Sequence, residues 1–271
     1  MGKFAWCTDV HLDFKDDNGI VQFATSLVAS NPDGVIISGD ISTAQNIIYH
    51  LSIIESVVQR RIYFVLGNHD YYGSSIDRVR DQMKELSNIS QYLRYLPTSP
   101  YVAVTPTTAL IGHDGWYDGL NGNWKDRSFN LTDWVRIKDF AEASNSGQAR
   151  DKVVEVAQKL AHQGVMHIHD GIKSAVRYHK NVIVVTHVPP FPETHIFEGK
   201  TGDSAAQPWF TSKMMGDMLL DASRAFPKVM FTVLAGHTHG KYDGKITDNL
   251  YVHVGDAEYG RPKLQQLIDA P

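Results

Sequence analysis

The sequence predicts an α/β protein. Short runs rich in β-branched and aromatic residues recur along the chain, helix-like segments stand between them, and 271 residues of which 42% are hydrophobic suffice to bury a substantial core. The first run, 4–7, is Phe-Ala-Trp-Cys, and a helix-like segment at 20–29 follows it. Next come a strand at 34–38, a helix at 45–59, a strand at 62–66 and a helix at 75–86. The middle of the chain offers a strand at 108–111, then helices at 151–162 and 172–179. Strands at 181–186, 229–235 and 250–254 complete the series, with a helix at 213–225 between the first two. Apolar runs of this length read as strands buried in a core.

Two stretches break the alternation. Residues 115–147 are rich in Gly, Asn, Asp and Trp, and 188–208 carry Pro189, Pro190, Pro192 and Pro208. Long segments of this kind are usually functional coverings, so both are expected to lie as cap-like loops over the scaffold. No internal repeat, low-complexity tract or linker is visible, and one domain over 1–271 is expected.

Composition excludes several classes. A net charge of -4 provides no global basic field for nucleic acid. Cys7 is the single cysteine, which rules out an intramolecular disulfide and any multi-cysteine zinc or iron-sulfur site and fits a reducing compartment. The first residues lack a basic stretch followed by an apolar one, so export by a cleaved signal is not expected. Met1-Gly2 begins like a myristoylation signal, but Trp6 stands where that motif asks for Ser or Thr. No apolar run is long enough to cross a bilayer. A cytoplasmic protein without a membrane partner is expected.

Polar residues gather where strands end. Asp9 and His11 follow the first strand, Gly39-Asp40 the second, and Gly67-Asn68-His69-Asp70 the third. His187 follows the strand ending at Thr186, and Gly236-His237-Thr238-His239 the strand ending at Ala235. Loops beyond the carboxyl ends of strands form the usual crevice of α/β sheets, so residues far apart in sequence can converge there. Carboxylate, amide and imidazole donors without thiolates suit manganese, iron, zinc or a similar divalent ion. Gly39, Gly67 and Gly236 each precede one of these residues, where a chain leaving a strand turns sharply.

Taken in order, Asp-x-His, Gly-Asp, Gly-Asn-His-Asp, His and Gly-His-x-His resemble the calcineurin-like metallophosphoesterase superfamily over 9–239. The resemblance implies a four-layer α/β/β/α sandwich with two mixed sheets. It also implies two divalent ions, one held by Asp9, His11, Asp40 and His239, the other by Asp40, Asn68, His187 and His237, with Asp40 as the bridge. Two ions about 3.5–4 Å apart can activate a bridging hydroxide for in-line attack at phosphorus, so no nucleophilic side chain is required. His69 is then the catalytic residue that faces the substrate and assists the leaving oxygen, and Asp70 is expected to orient it.

Other residues stay open at this level. His113 and Asp114 stand either on the rim of the site or in a hydrogen-bonded turn; His195 is either aimed toward the substrate by its loop or merely exposed, and exposure is the preferred expectation. His167 and His169 lack the strand-then-glycine setting and are read as structural. Trp116, Trp124, Trp134 and Trp209 either stack on a base or sugar or pack the cap onto the core.

The function expected is hydrolysis of a phosphate monoester or diester on a small phosphorylated substrate. Thr43 continues the Gly-Asp motif as Gly-Asp-Ile-Ser-Thr, which disfavours a protein phosphatase and leaves the support around Asp40 in question. A nuclease ranks lower, for want of a basic surface. A metal-binding scaffold without turnover is the alternative from another class.

Overall fold

The computed structural model of the protein describes residues 2–145, 149–197 and 199–271. Its first half runs β1 (Gly2–Cys7), α1 (Asp17–Val28), β2 (Gly34–Ser38), α2 (Ile47–Val58), β3 (Arg61–Val65), α3 (Ile76–Ile89), β4 (Leu93–Tyr95), β5 (Val102–Ala103) and β6 (Thr108–Gly112). There follow α4 (Asp133–Arg136), α5 (Lys138–Ser144), α6 (Ala149–Ala175), β7 (Asn181–Val185), β8 (Ile196–Phe197), β9 (Lys200–Thr201), α7 (Gln207–Phe210) and α8 (Lys213–Ala225). The chain ends with β10 (Met230–Ala235), β11 (Tyr242–Thr247), β12 (Leu250–Val254) and β13 (Gln266–Ala270).

Two mixed sheets form the centre. In the first, ordered β13-β1-β2-β3-β4, the strands β1 to β4 run parallel and β13 pairs antiparallel at the edge. In the second, ordered β11-β12-β10-β7-β6-β5, the inner four are parallel and both edges antiparallel. Side chains alternate across each strand, and this sorts the core into layers. Phe4, Trp6, Ile36 and Val65 of the first sheet meet Leu110, Ile183, Val185 and Leu234 of the second. On the outer face of the first sheet Ala5, Cys7, Val35, Ile37 and Phe64 pack against Ile20, Leu27, Leu51, Ile54 and Met83 of α1 to α3. Val182, Val184, Phe231 and Val233 pack against Ile168, Ile172, Met215 and Leu219 of α6 and α8 on the other side. The result is the four-layer α/β/β/α sandwich that the resemblance implied.

Sequence and structure part company at α6. The two helices expected at 151–162 and 172–179 are one continuous helix, which puts His167 and His169 in its C-terminal half. Gly164 and Gly171 interrupt the helical pattern, yet here they allow close approach: a Cβ on Gly171 would collide with the carbonyl oxygen of Pro100, and one on Gly164 would stand 3.0 Å from His113 Nδ1. The strands absent from the sequence reading, β4, β5, β8, β9, β11 and β13, are short or half exposed, and none carries the sustained apolar run that marks a buried strand. The loops at 115–147 and 188–208 hold α4, α5, α7 and the β8–β9 hairpin, although positions 146, 147 and 198 lie outside the described residues. No helix among the described residues is long and apolar enough to cross a membrane.

His113 and Asp114, at the end of β6, serve the scaffold. Asp114 accepts hydrogen bonds from Tyr71 Oη (2.7 Å), Tyr95 Oη (2.7 Å), Arg80 Nε (2.9 Å) and the Leu66 backbone N–H (2.9 Å), tying the two sheets together. Its carboxyl sits below its ordinary value: burial opposes ionisation, but Arg80 and these donors outweigh it. Asp114→Ala would leave a buried guanidinium and two tyrosine hydroxyls without their acceptor. A loss of about 3–5 kcal/mol in stability is expected, read from urea unfolding, with the metal content of the folded chain retained.

Candidate metal centre

Each expected ligand stands just beyond the carboxyl end of a parallel strand: Asp9 and His11 after β1, Asp40 after β2, Asn68 after β3, His187 after β7, and His237 and His239 after β10. The structure brings all seven together. One ligating atom from each of Asp9, His11, Asp40 and His239 lies within 4.8 Å of the others. His11 Nε2 is 3.1 Å from His239 Nε2, and His239 Nε2 is 3.4 Å from Asp9 Oδ1. On the other side of Asp40, His187 Nε2 lies 3.4 Å from Asp40 Oδ1 and 3.2 Å from Asn68 Oδ1, while His237 Nδ1 lies 3.0 Å from that same amide oxygen.

Hydrogen bonds behind the site decide which ring nitrogens face inward. His187 Nδ1 donates to the Ser38 carbonyl (2.9 Å), which turns Nε2 toward Asn68 and Asp40. His237 Nε2 donates to the Trp209 carbonyl (2.9 Å), which leaves Nδ1 as its inward atom. For neutral imidazoles, two lone pairs and an amide oxygen then converge at about 3 Å with no proton between them, an arrangement that a cation satisfies. The carboxylates reinforce this. Burial works against a proton on His187, but Asp40 and Asp9 outweigh it and raise that imidazole to about 10. Burial pushes His11 down to about 4, and burial together with His187 pushes His237 to about 3. The pocket thus stabilises positive charge beside Asp40, and an ion binding there would displace the proton from His187. The donor set fits divalent metal ions at both positions.

The backbone that delivers these side chains is unusual. Asp9, His11, Asp40, His237 and His239 have φ of 49°, 39°, 51°, 70° and 56°, the left-handed region that costs a non-glycine residue about 1–2 kcal/mol. Gly39, at φ 97°, fits the sharp turn expected of it. Gly67 and Gly236 serve a different need: a Cβ would collide with Asp40 Oδ1 in the first case and with Asp9 Oδ2 in the second. Space for the carboxylates, and not the turn, requires glycine at these two positions.

His69 stands at the mouth, its side chain 19% exposed and its Nε2 4.0 Å from Asp40 Oδ2. Its ring lies 4.6 Å from that of His11 and 4.3 Å from that of Tyr72. The expected pairing with Asp70 is not made. Asp70 is fully buried and accepts backbone N–H groups of Ile41 (2.9 Å), Ser42 (2.8 Å) and Gly67 (2.8 Å), clamping the Asp40 loop to the Asn68 loop. Burial and Asp40 hold its carboxyl well above the ordinary carboxylate range, against the downward pull of the Gly67 and Ser42 N–H groups. Asp70 thus supplies the support for the Asp40 loop that Thr43 left in question.

A cavity of about 400 Å³ opens over the centre, lined by Asp40, Asn68, His69, His237 and His239 together with both cap segments. Phe129, Leu131, Thr132 and Asp133 line it from one cap segment, and His195, Asp203, Ala206 and Phe210 from the other. His195 overturns its expectation: it is 2% exposed, stacked on Phe210 at 4.7 Å, and on the cavity wall. Burial pushes it down to about 4, so it is neutral near pH 7. The tryptophans divide in favour of packing. Trp116, Trp134 and Trp209 are buried, Trp134 against Trp209 at 4.9 Å, and none of the four lines this cavity.

Asp133 escaped the sequence reading. It is 1% exposed and accepts from Asn68 Nδ2 (2.8 Å), Tyr72 Oη (2.7 Å) and Tyr117 Oη (3.3 Å). No motif surrounds it; a lone aspartate ahead of Trp134 in a cap segment offers no pattern to detect. Tyr72, Phe210 and Tyr259 line the cavity with equally little local signal.

A two-sheet sandwich with carboxylate, amide and imidazole donors converging beyond its strand ends defines a metal-dependent phosphoesterase. The chain belongs to the calcineurin-like phosphoesterase family, which it matches over residues 2–241. No curated protein matches it in sequence. Among solved structures it is similar to the phosphopantetheinyl hydrolase PptH from Mycobacterium tuberculosis, with a TM-score of 0.63 at 15% identity over 95% of this chain and 89% of that one. A dimetal phosphatase from Danio rerio gives 0.57 at 12% identity over 93% and 86%. The protein TT1561 of Thermus thermophilus gives 0.52 at 10% identity over 94% and 89%. At these identities the likeness is one of fold.

Proposed function

We propose that this phosphoesterase hydrolyses small phosphate diesters with two divalent ions, manganese, iron, zinc or a similar metal, held by Asp9, His11, Asp40, Asn68, His187, His237 and His239. The observation that carries the diester reading is the lining of the cavity, which among the described residues includes no lysine or arginine. A monoester dianion or a second phosphate would bring charge that a desolvated pocket has to neutralise, usually through guanidinium or ammonium groups. A diester brings a single negative charge. Two unlike walls also suit two ester arms: Phe129, Leu131 and Phe210 form an apolar side, and His69, Tyr72 and Tyr259 a more polar one.

Bound divalent ions would activate water and stabilise charge developing on the phosphoryl oxygens. His69 presents its imidazole on the open side, where it donates a proton to the departing ester oxygen. His195, neutral and fixed against Phe210, provides a hydrogen bond for the arm on the apolar side.

The test is to compare bis(p-nitrophenyl) phosphate with p-nitrophenyl phosphate, using manganese-loaded protein and a chelated control. A diester kcat/KM at least tenfold above that of the monoester is expected. The reverse preference rejects the diester reading in favour of a phosphatase. Absence of chelator-sensitive turnover on both substrates returns weight to the scaffold.

A further inference from the structure

We propose that Asp133 is a positioning residue that makes ion binding at the second position, between Asp40, Asn68, His187 and His237, depend on the docked cap segment at α4. The inference rests on reading these residues as a metal centre. Asn68 serves a cation only with its amide oxygen turned inward; rotated by 180°, the amide would present N–H protons instead. Asp133 sets the orientation, because its Oδ1 accepts from Asn68 Nδ2 at 2.8 Å on the side away from His187 and His237. Tyr72 and Tyr117 bond to the same carboxylate and hold it in place.

The same helix reaches the second position by another route. Trp134 packs on Trp209 at 4.9 Å, and the Trp209 carbonyl accepts from His237 Nε2 at 2.9 Å. Two of the four residues around this position, Asn68 and His237, are therefore oriented from one four-residue helix. Backbone bonds from Gly73 N to the Arg136 carbonyl (2.8 Å) and from Lys138 N to the Ser74 carbonyl (2.9 Å) hold that helix against the loop following Asn68. Among the described residues neither Asp133 nor Trp134 hydrogen-bonds or stacks on Asp9, His11 or His239, so the first position lacks this dependence. Linkage is reciprocal: if docking of α4 favours the second ion, that ion favours docking by the same factor.

Asp133→Leu, close in size but without an acceptor, is the decisive variant, compared with Tyr117→Phe, which removes one bond to the Asp133 carboxylate without touching Asn68. Manganese stoichiometry and affinity by calorimetry, the melting temperature of the metal-free form, and tryptic cleavage of the cap at Arg127, Arg136 and Lys138 are the readouts. The parent and Tyr117→Phe should bind two ions, and manganese should slow cleavage of the cap in both. Asp133→Leu should keep the first ion, bind the second about 10–100-fold more weakly, and show no protection of the cap by manganese at concentrations that saturate the parent. Two ions with parental affinity in Asp133→Leu overturn the proposal, as does equal weakening of both ions with a lowered melting temperature in the metal-free form. A parent chain that binds no ion rejects the metal-centre reading itself, a distinct result.

Discussion

Asp40→Ala is expected to empty both ion positions and to reduce turnover by more than about a thousandfold, to the level of a chelated control. Asp40 stands between the two groups of donors, with Oδ1 3.4 Å from His187 Nε2 and Oδ2 3.7 Å from His11 Nε2. Burial opposes its charge, but His187, His69 and His11 hold the carboxyl well below its ordinary value, so it stays an anion in a closed setting. An alanine there removes the central negative charge and leaves two neighbouring cations to repel each other without compensation. Metal analysis of the purified variant should fall from two equivalents to near zero. A variant that keeps one tightly held ion would show that Asp40 belongs to a single position.

His69→Ala should do the opposite: both ions stay, and kcat falls by about 10²–10⁴. The backbone N–H of His69, which donates to Asp40 Oδ1 at 2.9 Å, survives the substitution, so the centre keeps its support. What disappears is the imidazole at the mouth. The loss should be larger for an alkyl ester, whose departing oxygen needs a proton, than for a p-nitrophenyl ester, which leaves without one. Metal analysis beside steady-state kinetics on the two esters checks both parts. Parental turnover in His69→Ala would remove this residue from the chemistry.

Much of the scaffold was legible because a buried parallel strand writes its own signal. Runs such as Val182–Val185 are apolar on both faces, since one face meets the other sheet and the opposite face meets helices. The edge strands β11 and β13 are half exposed and carry no such run. The break expected within α6 has no counterpart in the structure, and Gly171 inside that helix lets the Pro100 carbonyl come close, a contact with a distant segment that local sequence does not record.

The site divides in the same way. Ligand-type residues directly after strands were readable, because strand and ligand are adjacent in sequence. The orientation of those ligands was not, because it is set by partners from distant segments: Ser38 for His187, Trp209 for His237, Asp133 for Asn68. Asp70 and His195 were misjudged on the same account. The resemblance implied a pair with His69, whereas folding carries the Asp70 carboxylate to Ile41 and Ser42; a loop position suggested exposure, whereas Phe210 covers His195.

The provenance of the donors has a mechanical consequence. The first position would take Asp9, His11 and Asp40 from one sheet and His239 from the other; the second would take Asp40 and Asn68 from one and His187 and His237 from the other. An ion at either place would tether the two halves of the sandwich, and one at the first would close a loop from Asp9 to His239 that encloses most of the chain. Such a tether stabilises the folded chain by binding it and not the unfolded one, in a protein whose lone Cys7 denies it an intramolecular disulfide. The metals that equip the chain for chemistry would also be its rivets.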